Sequence, residues 1–227
     1  MIIEINGLFT TESIDEWASL DFDWLAFDFQ NGSPFYVKQV SSGAGIIPDY
    51  RNLAAAKGEK HSEECQLKAR KALKTVGVFA DDMPQNIIIR LVNFKLDVVR
   101  LEGNESAVMV ENLLRSVVPD LCQNLEIVKT IHVSTAPDTF DQCKEYEGLV
   151  DYFLFRGEGI SSSLLDGYTG TTPFLLGNDV EEDVLAVLKA NKHPKFAGVS
   201  IEKSLSADQM SDTDSALKER IIRLREL

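Results

Sequence analysis

The sequence predicts an α/β fold: a single domain over residues 1–227, built as a (β/α)8 barrel. Two observations carry this. Residues 74–106 read as one complete strand–helix–strand unit. It has an apolar run at Thr75–Ala80, a helical stripe of Ile87, Ile88, Leu91 and Val92 behind Pro84, and a second apolar run at Leu96–Leu101. Such units build parallel sheets with right-handed crossovers. Eight short apolar runs recur along the 227 residues, alternating with helical or loop stretches, which is the rhythm of a TIM barrel. A doubly wound open sheet is the alternative.

In order, Met1–Asn6 is the first strand, ended by Gly7. Ser13-Ile14-Asp15-Glu16 has capping-box spacing and opens a helix to Leu20. Trp24–Phe29 is the second strand, followed by the turn cluster Asn31-Gly32-Ser33-Pro34. Residues 38–63 read as an extended loop or insertion, leading to a helix near Ser62–Leu73. The opening unit supplies strands three and four, and a helix over Glu105–Val117 stops at Pro119. Leu125–Val133 is strand five, with a helix at Pro137–Tyr146. Tyr152–Phe155 is strand six, followed by a weak helix at Ser161–Gly167. Phe174–Leu176 with Val180–Ala190, then Phe196–Ile201 with Asp214–Leu227, complete the set.

The bulk chemistry excludes several functions. The formal net charge is −13, from 36 acids against 23 bases, so nucleic acid and anionic lipid are not expected partners. No apolar run approaches the roughly 20 residues needed to span a bilayer. MIIEINGLFT lacks the basic and apolar regions of a signal peptide. The three cysteines, Cys65, Cys122 and Cys143, are odd in number and form no metal-ligand pattern, which fits a reducing cytoplasm.

Several segments together resemble phosphoribosylanthranilate isomerase. They are Ser33-Pro34-Phe35-Tyr36-Val37, Gly77-Val78-Phe79, residues 96–105 (LDVVRLEGNE), residues 146–155 (YEGLVDYFLF), Thr172-Pro173-Phe174-Leu175-Leu176 and residues 193–198 (HPKFAG). The resemblance spans the chain except residues 38–65. It implies a (β/α)8 barrel of the tryptophan pathway that performs an Amadori rearrangement with no cofactor and no metal. That chemistry needs a general base, a general acid and an anion cradle for the sugar phosphate.

The resemblance also implies site positions, and this sequence departs at most of them. The base position at the end of strand one is Asn6, an amide that cannot take a proton at useful pH. The acid position after strand six is Arg156, a guanidinium that stays protonated. The carboxylate-binding arginine after Ser33-Pro34 is Phe35, and the strand-four polar pair is Arg100 and Glu102. The phosphate-site positions are the shortened loop around Gly159, Asn178 and Asp179 after strand seven, and Glu202 and Lys203 after strand eight. A carboxylate beside a phosphate dianion costs on the order of 1–4 kcal/mol at contact distance. Asp179 and Glu202 therefore argue against tight phosphate binding.

Glu4, Asp28, Arg100, Glu102 and Arg156 fall near strand ends, where a self-satisfied ion network or a new ligand site is expected. Asp81 and Asp82 read as a solvated loop capping the next helix, although Asp81 stands at the mouth with the substrate-binding positions. His132 reads as packed or hydrogen-bonded, and His61 and His193 as surface residues. The insertion at 38–63 reads as a lid, a docking surface or slack. The expected partners are a small anionic molecule or a pathway enzyme, on a monomer or homodimer. The leading reading is a barrel without isomerase activity. The alternatives are an active isomerase using groups such as Glu102 or Asp28, and a barrel that binds another carboxylate-bearing molecule.

Overall fold

The computed structural model describes residues 1–7, 20–37, 73–118, 120–136, 138–177, 185, 193–202 and 218–225. Their strands close into a parallel barrel, β1 to β8 in chain order. The strands are β1 Ile2–Asn6, β2 Trp24–Asp28, β3 Lys74–Phe79, β4 Val98–Leu101, β5 Glu126–His132, β6 Tyr152–Arg156, β7 Phe174–Leu176 and β8 Phe196–Glu202. Closure runs through β1 and β8, where Ile2 pairs with Gly198 and Asn6 with Glu202. An open doubly wound sheet is thereby ruled out. The one register shift falls between Phe174 and Leu175, in the pairing of β7 with β8.

Side chains alternate along each strand, so the barrel has two apolar compartments. Trp24, Ala26, Val76, Val78, Val98, Val128, Leu154 and Leu175 fill the interior. Ile3, Ile5, Phe79, Leu101, Ile127, Phe153 and Phe174 belong to the outer core, packed towards the helices. Helix α1, Pro84–Phe94, carries Pro at its start and buries Ile87 and Leu91. Lys95 then adopts φ 50° and its N–H reaches back to Leu91 and Val92, closing the helix end. Helix α2, Ala107–Val117, is capped by Ser106, whose hydroxyl accepts from Met109 N, and buries Val110, Leu113 and Val117.

Several expected elements come out shorter. The strand expected from Leu96 begins at Val98, because Leu96 N–H still caps α1 on Leu91 and the Asp97 carboxylate accepts from Thr75 N–H at 2.8 Å. Glu105 lies outside α2 and before its cap. In the Pro137–Tyr146 stretch, only α3, Cys143–Tyr146, is helical. Ahead of it Thr139 Oγ1 accepts from Ser134 N–H and Ser134 Oγ from Ala136 N–H, so short hydroxyl side chains compete for the backbone and hold turns. Helix α4 is Ser162–Leu165.

Residues 218–225 are helical and lock the barrel's lower end. Arg225 donates to the carbonyls of Asp21 (2.8 Å) and Met1 (3.0 Å) and to the Asp23 carboxylate. Asp23 in turn accepts from Ile3 N–H at 2.9 Å. The helices expected at 13–20, 62–73 and 180–190 and the insertion at 38–63 lie wholly or largely outside the described residues. Among the described residues no helix is long and apolar enough to cross a membrane.

Candidate functional site

The C-terminal ends of the strands form the mouth, where this architecture carries its chemistry. Period-two alternation turns Glu4 and Asn6 of β1, Asp28 of β2, Arg100 of β4, Thr130 of β5, Arg156 of β6, and Ser200 and Glu202 of β8 onto the interior face, and Glu102 continues it just past β4. Five of them form a chain of alternating charge. Arg100 Nη1 pairs with Glu4 and donates to Ser200 Oγ at 3.1 Å, and Ser200 donates to the same Glu4 oxygen at 2.9 Å. On its other side Arg100 Nε lies 2.9 Å from Glu102 Oε1. Arg156 Nη1 lies 3.3 Å from Glu102 Oε2, and Arg156 Nη2 pairs with Glu202.

Burial and charge act on these acids in opposite senses. Burial is the dominant influence on Glu4 and pushes its carboxyl above the usual range, although Arg100 and Ser200 pull it down. Burial also pushes Glu102 up. There Arg100 and Arg156 together outweigh it and hold the carboxyl below the usual range. Of the residues expected in an ion network, Glu4, Arg100, Glu102 and Arg156 join one chain at the mouth with Glu202, whereas Asp28 bonds Gln30 N–H and Ser33 Oγ instead.

The remaining site positions divide clearly. Asn6 is buried, and its Oδ1 accepts the N–H of Gly7 at 2.8 Å, where φ is 91°. The amide is engaged with its own turn. Asp28 is buried and accepts from Gln30 N–H at 2.8 Å and Ser33 Oγ at 2.5 Å. Phe35 is buried among the core residues. Gly159 has φ 72°, a left-handed turn residue before the Ser161 cap of α4. Asn178, Asp179 and Lys203 lie outside the described residues.

Asp81 departs from the capping expectation. It is exposed at φ 50°, and its carboxylate accepts the N–H of Asn104 at 2.7 Å. Helix α1 has Met83 at its cap with no side-chain bond, while Asp82 accepts from Met83 N–H and from Asn86. His132 is exposed rather than packed. His193 is half-buried, edge-on to Phe174 at 5.2 Å, and its Nδ1 accepts from Lys195 N–H at 3.3 Å. No group of His, Cys, Asp and Glu that would hold a metal ion occurs among the described residues.

Sequence reasoning missed a second buried ion pair, which sets the loops beside the mouth. Lys129 Nζ donates to Gly103 O at 2.6 Å and to Glu105 Oε2 at 3.1 Å. Glu105 Oε1 accepts the N–H of Asp81 at 2.8 Å and of Gly103 at 3.2 Å, and Tyr146 donates to the Glu105 carbonyl at 2.7 Å. A Cβ on Gly103 would come within 2.6 Å of Asp81 N, so the two loops touch backbone to side chain only because this residue is glycine. The available signal was one lysine on the outward face of the apolar run EIVKTIH.

No family model matches the chain. Among curated proteins, the N-(5'-phosphoribosyl)anthranilate isomerase of Parabacteroides distasonis is 28% identical over 222 residues, covering 92% of this chain and 86% of that protein. The enzyme of the same description from Phocaeicola vulgatus is 25% identical, covering 100% and 98%. The chain is thus similar to phosphoribosylanthranilate isomerases over nearly its whole length. Solved structures agree on the fold. Phosphoribosylanthranilate isomerase from Thermotoga maritima superposes with a TM-score of 0.66 at 18% identity, over the full length of both chains. The Thermus thermophilus protein does so with a TM-score of 0.61 at 15% identity, over 96% of this chain and all of that one. The barrel of these structures is therefore present here, and its described strand ends carry an ion chain.

Proposed function

We propose that this chain is a phosphoribosylanthranilate isomerase-like barrel of the tryptophan-biosynthesis lineage that no longer performs the isomerisation and serves instead as a binding or interaction protein. The observation that carries this is the state of Arg156. At the position expected to hold the general acid stands a guanidinium tied to Glu102 and Glu202 at once. A guanidinium held between two carboxylates has no proton to release and recover near neutral pH. Asn6, at the position expected for the base, gives its oxygen to Gly7 N–H. Glu202 adds a carboxylate where the resemblance expects a phosphate cradle, which wants bare backbone N–H groups.

A second reading is favoured by one observation. Glu102 is ionised at the mouth, and the two curated relatives, isomerases by name, align over nearly the whole chain. In that reading Glu102 or Asp28 takes a proton-transfer role. One experiment separates the two. The chain is expressed in a strain lacking this isomerase, and growth without tryptophan is scored alongside loss of phosphoribosylanthranilate by the purified protein. No growth and no turnover are expected. Growth at ordinary expression, abolished by Glu102→Gln or Asp28→Asn, overturns the first reading.

A further inference from the structure

Beneath the mouth, the interior holds hydrogen-bonding groups that neighbouring side chains leave unmet. Arg100 is wholly buried, and its Nη1 serves Glu4 and Ser200. Its Nε is ion-paired with Glu102 Oε1 at 2.9 Å, and its Nη2 makes no hydrogen bond. These two nitrogens form one edge of the guanidinium, the fork that takes an oxygen acceptor side-on. Glu4 Oε2 is likewise buried without a donor, and so is Thr130 Oγ1 on the strand beside Arg100. Folded interiors fill such groups with a partner, because leaving them bare is costly.

The unmet set includes the Nη2 donor of Arg100 and the Oε2 acceptor of Glu4, so a ligand has to bring both kinds of group. Charge narrows the class. The chain holds three carboxylates, Glu4, Glu102 and Glu202, against two guanidiniums, and Asp28 is buried at the same end. An added anion meets that excess at low dielectric, and a cation would face the N–H groups of Arg100. We propose that the interior at Arg100 is a binding site for a small uncharged molecule with an oxygen acceptor and an N–H or O–H donor side by side, as in a carboxamide or a vicinal diol. The acceptor takes Nη2 and replaces Glu102 at Nε, and the donor bonds Glu4 Oε2. Side-chain exposure gives the route, rising from 0% at Glu4 and Arg100 through 9% at Glu102 and 17% at Arg156 to 34% at Glu202. Glu102, held from outside by Arg156, is the group that swings aside.

This inference rests on reading the chain as a binder. The two fail separately, because the growth assay reads turnover and the test here reads binding. Thermal unfolding is followed against acetamide and meso-erythritol, with acetate and inorganic phosphate as charged counterparts, for the wild type and for Arg100→Lys, which keeps the charge and removes the fork. Polyols stabilise proteins generally by exclusion from the surface, so the informative quantity is the difference between the two proteins. The wild type is expected to show an added rise in Tm that grows with ligand concentration. Arg100→Lys is expected to bind about tenfold more weakly, the loss of about one hydrogen bond. Either neutral probe giving this difference supports the site. If Arg100→Lys does not fold, Glu4→Gln takes its place, and a crystal soaked with acetamide shows the contact directly. The proposal is overturned by equal shifts in wild type and variant, by larger shifts with acetate or phosphate, or by electron density with ordered water alone on the Arg100 edge.

Discussion

Replacing Arg100 by methionine tests whether the innermost pair of the ion chain is held by mutual compensation. Arg100 and Glu4 are both fully buried, so the substitution leaves the Glu4 carboxylate with Ser200 as its described hydrogen-bond partner and no cation in contact. Glu102 fares better, because Arg156 still faces it. Breaking one partner out of a buried pair costs about 3–5 kcal/mol, a large share of a total stability of about 5–15 kcal/mol. With a urea m-value of about 3 kcal/mol/M, the midpoint falls by about 1–1.7 M. The double variant Arg100→Met/Glu4→Leu removes both charges and restores apolar volume, and Ser200 then loses its acceptor at a cost of about 1 kcal/mol. The cycle is expected to give a coupling energy of about 2–3 kcal/mol, read by urea unfolding of the four proteins. Additive effects in the double variant, or a single-variant loss under about 1 kcal/mol, would refute the view that these charges compensate each other.

Three further outcomes follow from other sites. Glu102 is held below the ordinary glutamate value of 4.5, so its contribution to stability is present above that value and lost as pH falls through the lowered one. Glu102→Gln is therefore expected to flatten the acid limb of a stability–pH curve measured between neutral and strongly acid pH. An unchanged limb counts against the assignment. Lys129→Met leaves Glu105 buried without its cation and is expected to cost about 3–5 kcal/mol, with hydrogen exchange rising first at Asp81 and Gly103, whose N–H groups bond that carboxylate. Cys143 is buried, and burial pushes its thiol up to about 12. Thiol labelling followed by mass spectrometry should leave it unmodified in the native protein and modify it in urea, whereas the half-exposed Cys122 reacts sooner.

The alternating residues of β1 and β4 made part of the ion chain readable from sequence. Glu4, Arg100, Glu102 and Arg156 sit at or near strand ends, and a barrel has only one interior for them to share, whereas Glu202 was not expected among them and Asp28, which was, bonds its own loop. The strands were legible because each is a short apolar run with turn residues after it. The Lys129–Glu105 pair was not legible, because it joins a β5 side chain to a residue 24 positions earlier in the loop after β4. The turns before α3 were misread for a similar reason. Thr139 and Ser134 bond to nearby N–H groups, and a pattern of apolar residues does not register that competition. Pairing partners inside the mouth depend on strand stagger, which a sequence without its register leaves open.

The closure of β1 on β8 has a consequence for how the chain assembles. Glu4 and Ser200 are 196 residues apart in sequence, and Arg225 reaches Met1 across 224. Contacts this distant form late, because the loop they close is entropically dear and its second half leaves the ribosome last. Until then β1 has a bare edge, the kind of surface on which unfinished chains stick to one another. A charged side chain pointing inward is one of the devices that blunt such an edge, and Glu4 sits at its middle. Glu4→Leu, combined with Arg100→Met so that the guanidinium is not left facing an apolar side chain, is therefore expected to raise the aggregated fraction during refolding from urea relative to Arg100→Met alone, measured by light scattering.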